Sequence, residues 1–228
     1  MNSYTEKFIQ ILESENKEEA VEFAMGLIKS GTIDIIELYS DILKPALNNM
    51  QCSLADKDIC VWKEHVRTAI VRTIVECCYP YVIAKRDKEC TLKRGRVIIV
   101  CPPEEYHDLG ARMITDFFTI CGLDAVFVGN NTPYDNFYNA ADKINPDIIA
   151  ISVSNYYNLV VTKKIIEDLR KKINPGTRIV VGGYAFSRDS RNIKIVGADY
   201  YTDTFDDIRN VVKEMNRWSW IFILQPGF

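Results

Sequence analysis

The 228-residue chain is predicted to be an α/β protein, an N-terminal four-helix bundle followed by a five-stranded parallel sheet with helices on both faces. Three observations carry that prediction. Apolar residues in the first 88 positions recur at helical spacing, with no convincing period-two alternation among them. From position 96 onward, short Val- and Ile-rich runs alternate with helical patterns, as in a parallel sheet crossed by helices. Between the two regions, residues 86–95 (Arg-Asp-Lys-Glu-Cys-Thr-Leu-Lys-Arg-Gly) are polar, charged and aperiodic. The expected division is therefore a helical domain at 1–88, an α/β domain at 95–217 and an apolar tail at 218–228.

In chain order, residues 5–15 repeat apolar side chains at Phe8, Ile9, Ile11 and Leu12, and residues 17–30 at Ala20, Val21, Phe23, Ala24 and Leu27, before the helix stop at Gly31. A third helix from about 33 passes through Leu38, Ile42 and Leu43 and is expected to bend near Lys44, because Pro45 has no backbone N–H. A long fourth helix is expected over 59–85, perturbed near its end by Pro80. Strands are then expected at 96–101, 124–128, 147–153, 178–182 and 198–201, with helices near 108–121, 134–143, 157–172 and 204–217. The run Trp218-Ser219-Trp220-Ile221-Phe222-Ile223-Leu224 falls far short of the ~20 residues that span a bilayer, and an edge strand, self-packing or a dimer contact is expected to cover it.

With 28 basic against 31 acidic residues and a net charge of -3, the composition argues against a general affinity for nucleic acid or an anionic membrane. The start, Met1-Asn2-Ser3-Tyr4-Thr5-Glu6-Lys7, has no basic and apolar leader pattern, so a cytoplasmic location is expected. The seven cysteines follow neither a disulfide nor a zinc spacing; they are read as reduced, with Cys77 and Cys78 as buried helix filler.

Four features fall at the carboxyl ends of successive strands, where open α/β sheets bind their ligands. Glu105-Tyr106-His107-Asp108-Leu109-Gly110 follows the first strand. There His107 can donate one ring N–H to Glu105 while its other nitrogen ligates a metal, and Gly110 leaves room for a bulky ligand. Gly129-Asn130-Asn131-Thr132-Pro133 is a turn after the second strand. Ser152 and Ser154 end the third strand on one side of the sheet, and Gly182-Gly183 end the fourth, where bare backbone leaves space for a ligand.

In these residues the chain resembles the cobalamin-binding domains of methionine synthase, corrinoid mutases, methyl-carrier corrinoid proteins and cobalamin-dependent light sensors, whose signature is D-x-H-x-x-G, then S-x-L or S-x-T, then G-G. Here it reads E-x-H-x-x-G at 105–110, S-x-S at 152–154 and G-G at 182–183. The resemblance covers most of 95–217 and implies a flavodoxin-like (Rossmann-like) sheet. It also implies cobalamin as cofactor, in its adenosyl or methyl form, with His107 as lower axial ligand to cobalt in place of the cofactor's own base. By the same resemblance Ser152 would bond the buried base, and Ser154, Gly182 and Gly183 would line the channel for it. Glu105 stands where the family usually has aspartate.

The helical domain carries Glu64-His65, which resembles the cap motif W-x9-E-H of light-sensing cobalamin regulators, although Leu54 occupies the tryptophan position. By that resemblance the pair lies over the upper face of the corrin. The bland reading of Glu64-His65 is a helical pair packed into the cap interior. The main expectation is a sensor or regulatory module acting through a protein partner or self-association, without a DNA-binding segment of its own. The alternative is a methyl carrier serving a methyltransferase; a third is a relic domain that has lost the cofactor. In the first two, the cofactor supplies the bond chemistry and the protein alone need not be an enzyme.

Overall fold

The computed structural model describes residues 3–49, 54–90, 95–187 and 191–223, excepting the side chains of 54–56 and 216–223. The chain divides into two compact units, Met1–Ala84 and Lys85–Phe228.

The first unit is helical. Helices α1 (Ser3–Glu13) and α2 (Lys17–Lys29) lie where their apolar spacing puts them. Asn16 caps α2 by accepting the Glu19 N–H, and a reciprocal capping box of Asp34 and Glu37 opens α3 (Ile35–Glu37). A π-helical segment, Leu38–Leu43, joins α3 to α4 (Lys44–Asn48), so the predicted disturbance at Pro45 takes the form of a widened turn before the proline. Pro45 cannot donate to the carbonyl four residues earlier, that of Asp41; the wholly buried Thr5 donates its hydroxyl to that carbonyl at 2.7 Å.

After a 3-10 turn, Leu54–Ile59, the predicted fourth helix is two: α5 (Cys60–Cys77) and α6 (Tyr79–Glu89). They break at Cys78, which places Pro80 in the first turn of α6, where a missing N–H costs nothing. Phe8, Leu38, Tyr39, Leu43, Val71, Ile74 and Val75 form the centre of this unit.

The cysteine expectation needs two corrections. Cys60 is disulfide-bonded rather than reduced. Of the adjacent pair only Cys78 is buried, beside the sulfur of Met25; Cys77 is exposed because the next position round the helix faces solvent.

The second unit is a five-stranded parallel sheet, β1 (Arg96–Val100), β2 (Asp124–Gly129), β3 (Ile148–Ser152), β4 (Arg178–Gly182) and β5 (Tyr200–Tyr201), in the order β2-β1-β3-β4-β5. This is the flavodoxin-like order, whose switch point lies between β1 and β3. The helices between strands are α7 (Leu109–Ile120), α8 (Tyr134–Ile144), α9 (Asn158–Leu169), the short α10 (Tyr184–Ser187) and α11 (Arg191–Val196), and finally α12 (Phe205–Ile223). Alternate strand residues Ile98, Val100, Ile149, Ile151, Ile179 and Val181 meet Phe137, Ile165, Ile166, Leu169 and Val196 in one continuous core. Positions 218–223 continue α12 as helix rather than forming an edge strand, and residues 224–228 lie outside the described residues. Among the described residues no helix is long and apolar enough to cross a membrane.

The glycine pair after β4 has a packing role of its own. A Cβ at Gly182 would stand 2.7 Å from the Thr202 carbonyl oxygen, and one at Gly183, where φ is +98°, would stand 2.5 Å from that of Val153. The chain's own backbone thus occupies the positions that a side chain at either residue would need, so the fold itself requires both glycines. Gly183→Ala therefore combines a disfavoured backbone conformation with a backbone overlap, and is expected to destabilise the fold by about 2 kcal/mol or more in urea unfolding; a change under about 0.5 kcal/mol would contradict this packing.

Candidate functional site

The switch point between β1 and β3 is closed by one buried carboxylate. Glu105, with no exposed surface, lies in the loop from β1 to α7. Its Oε1 accepts from His107 Nδ1 at 2.6 Å and from the His107 backbone N–H at 3.2 Å. Its Oε2 accepts from the backbone N–H groups of Ser154 at 2.9 Å and Asn155 at 2.8 Å, and from Asn158 Nδ2 at 3.1 Å. Burial alone would raise the pKa of Glu105. The bonds from the His107 ring, the Asn155 N–H, the Asn158 amide and the His107 N–H outweigh it and hold the pKa down to about 2. The group is thus a carboxylate at any ordinary pH, tying the loop after β1 to the loop after β3.

This carboxylate fixes the histidine. With Nδ1–H donated to Glu105, the lone pair resides on Nε2, on a side chain that is 61% exposed. The loop is held from the other side as well. The Glu104 N–H, at a residue with φ +63°, donates to Asn131 Oδ1 at 3.0 Å, the Asn131 N–H donates to the Glu105 carbonyl at 3.1 Å, and Asn130 Nδ2 donates to the buried Asp108 at 3.0 Å. The turn at 129–133, which meant little in sequence, therefore braces the histidine loop. Cys101, at the end of β1, is an inert neighbour: burial, then the charges of Asp108 and Glu105, push its thiol up to about 12.

Of the other expected residues, Gly110 opens α7 with nothing within 4 Å of its notional Cβ. Ser152 is the last residue of β3, paired with Gly182, and both are half-buried. Ser154 enters the site through its backbone N–H rather than through the hydroxyl that singled it out. Glu64 and His65 are exposed on α5 of the helical unit, so the bland reading of a pair packed into that unit's interior does not hold.

Asn155 and Asn158 escaped the sequence reading, because asparagines around a strand end look like turn residues. The visible signal was Asn158 six residues beyond Ser152, at the start of a helix. Tyr106, Tyr157, Val160 and Tyr184 also present exposed apolar surface from the segments that follow β1, β3 and β4. Among the described residues no group of three His, Cys, Asp or Glu side chains is arranged to hold a metal ion.

Comparison with known proteins identifies the family of the α/β unit. Residues 95–209 match the family model described as "B12 binding domain". A corrinoid protein of Desulfitobacterium hafniense is 25% identical over 126 residues, 55% of this chain and 57% of that protein. Trimethylamine corrinoid protein 1 of Methanosarcina mazei is 27% identical over 130 residues, 57% of this chain and 59% of that protein. The matches thus span less than two thirds of the length of these relatives. The structure of the Methanosarcina barkeri monomethylamine corrinoid protein superposes with a TM-score of 0.78 at 16% identity, covering 92% of this chain and 97% of that one, a likeness of fold. A sheet in the flavodoxin-like order, a histidine oriented by a carboxylate at its switch point, and a family match over residues 95–209 lead to one assignment: the chain belongs to the B12 binding domain family, and its cofactor is cobalamin.

Proposed function

We propose that the chain is a corrinoid carrier: it binds cobalamin with the cofactor's own base displaced and His107 as lower ligand to cobalt, and it presents the cofactor to a methyltransferase. The observation that carries this reading is the 2.6 Å bond from His107 Nδ1 to a carboxylate saturated by four further donors. A second group behind a ligating histidine fixes its tautomer and raises its basicity. Among the described residues no group of side chains is arranged to hold a bare metal ion, and one imidazole suits a single axial position on a metal already held by a macrocycle.

The residues present fit the cofactor. Gly110 leaves open space beside the histidine loop, and Tyr106, Tyr157, Val160 and Tyr184 offer apolar surface to a large flat ligand. Bound cobalamin supplies a cobalt centre that accepts and releases a methyl group. The protein's part is to hold His107 at one height and in one tautomer, with Glu105 charged throughout. We assign Ser152 and Ser154 to the tail side of the cofactor; Gly182 and Gly183 support that side through their packing. A relic domain would have no reason to keep a buried charge paired so completely.

The names of the relatives favour the carrier over the sensor, since they are corrinoid proteins of trimethylamine and monomethylamine systems. The sensor reading rests on Glu64 and His65 alone. Protein loaded with hydroxocobalamin and given a reductant, a methylated amine and an amine methyltransferase is expected to acquire the isotopically labelled methyl group on its cofactor. No uptake, together with a light-driven change of oligomeric state in the adenosylcobalamin-loaded protein, would return the sensor to first place.

A further inference from the structure

Tyr156 lies between the two asparagines that serve Glu105, and its hydroxyl oxygen is buried without a hydrogen-bond partner. The loop around it is not loosely made. Ser154 and Asn155 give their N–H groups to Glu105, Asn155 Oδ1 accepts the Tyr157 N–H at 3.1 Å, the Asn155 carbonyl accepts the Asn158 N–H at 3.0 Å, and the Tyr156 carbonyl accepts the Leu159 N–H at 3.1 Å. A buried polar group left unpaired in so well-bonded a segment opposes folding and requires a reason. The other buried unpaired side-chain atoms among the described residues, on Glu15 and Arg67, belong to the helical unit.

We infer that Tyr156 is a further cobalamin-binding residue, whose hydroxyl donates to an oxygen acceptor of the bound corrinoid and so gains in the loaded protein the bond it lacks in the chain alone. The inference rests on the reading that this edge of the sheet holds a corrinoid. It assigns to the loop after β3 a contact separate from the histidine. A phenol O–H is a hydrogen-bond donor suited to amide carbonyls around a corrin ring or to the phosphate of its nucleotide tail. Both are oxygen acceptors, and a corrinoid lacking the nucleotide, cobinamide, tells them apart.

Tyr156→Phe removes one oxygen and keeps the ring. In absorbance titrations of the full chain, the variant is expected to bind hydroxocobalamin about tenfold more weakly, as for one lost hydrogen bond, with the histidine-coordination spectrum of the bound form unchanged. Without cofactor it is expected to melt at or above the temperature of the parent protein, since an unpaired buried hydroxyl has gone. Weaker cobinamide binding as well identifies a ring amide as the acceptor, and unchanged cobinamide binding identifies the phosphate; both support the inference. Parental affinity for hydroxocobalamin overturns it, as does a lower melting temperature without cofactor, which would show that the hydroxyl already has a partner. Failure of the parent protein itself to bind cobalamin would sink the carrier reading, a result distinguishable from a failure confined to Tyr156.

Discussion

His107→Ala is expected to weaken cobalamin binding about a hundredfold or more and to abolish the absorbance signature of histidine coordination. Changes behind a metal-ligating histidine already cost 10- to 100-fold, so removing the ligand should cost at least the upper end of that range. The loss should be local. The imidazole is 61% exposed, and Glu105 keeps its bonds from the backbone N–H groups of residues 107, 154 and 155 and from the Asn158 amide. Unfolding stability should therefore fall by only about 1.5–3 kcal/mol, the value of one hydrogen bond to a charged group. Free imidazole added to the variant should enter the space left by the side chain and restore part of the coordination spectrum. If the parent protein binds cobalamin with the cofactor's own base still on cobalt, and His107→Ala leaves that spectrum unaltered, then the histidine is not the ligand and the carboxylate behind it has another purpose.

The sheet was legible because each strand is a Val- and Ile-rich run ending in turn residues, and the helices between strands are long enough to show their period. The helices at Tyr184–Ser187 and Arg191–Val196 are not; four and six residues barely complete a turn or two. The break at Cys78 and the widened turn before Pro45 depend on how neighbouring helices pack, and Pro80 and Pro45 mark only their neighbourhood. In the site, Glu105 and His107 could be read because both lie within one loop, where spacing stands for geometry. Asn155 and Asn158 reach the same carboxylate from some fifty positions away in the chain, so nothing local announces them. The glycine pair shows a different limit. Absence of a side chain is visible in sequence, but that Thr202 and Val153 occupy the space is a fact of tertiary packing.

Glu105→Gln tests that cross-chain tie, because every bond Glu105 receives comes from a donor. An amide must turn its NH2 toward one of the two sets. Toward Ser154, Asn155 and Asn158 it would oppose three donors, two of them backbone groups that cannot rotate away. Toward His107 it opposes the backbone N–H and Nδ1, and the imidazole can answer by moving its proton to Nε2. The second arrangement is the less costly, and it leaves Nε2 without the lone pair that cobalt requires. The variant is therefore expected to fold, to lose the histidine-coordination spectrum, and to bind cobalamin at least tenfold more weakly. Its pH dependence should change too. In the native chain the pKa of Glu105 lies at about 2 against an ordinary value of 4.5. A depressed carboxylate stabilises the fold fully above its unfolded value and loses that contribution as the pH falls from about 4.5 toward 2. The difference corresponds to about 3 kcal/mol at neutral pH. Urea unfolding at pH 7, 5, 4 and 3 should show the native chain losing stability through that window while Glu105→Gln, having no group to protonate there, loses less. Parallel curves for the two proteins would mean that Glu105 is not held as a charge, and the fixed tautomer of His107 would lose its physical basis.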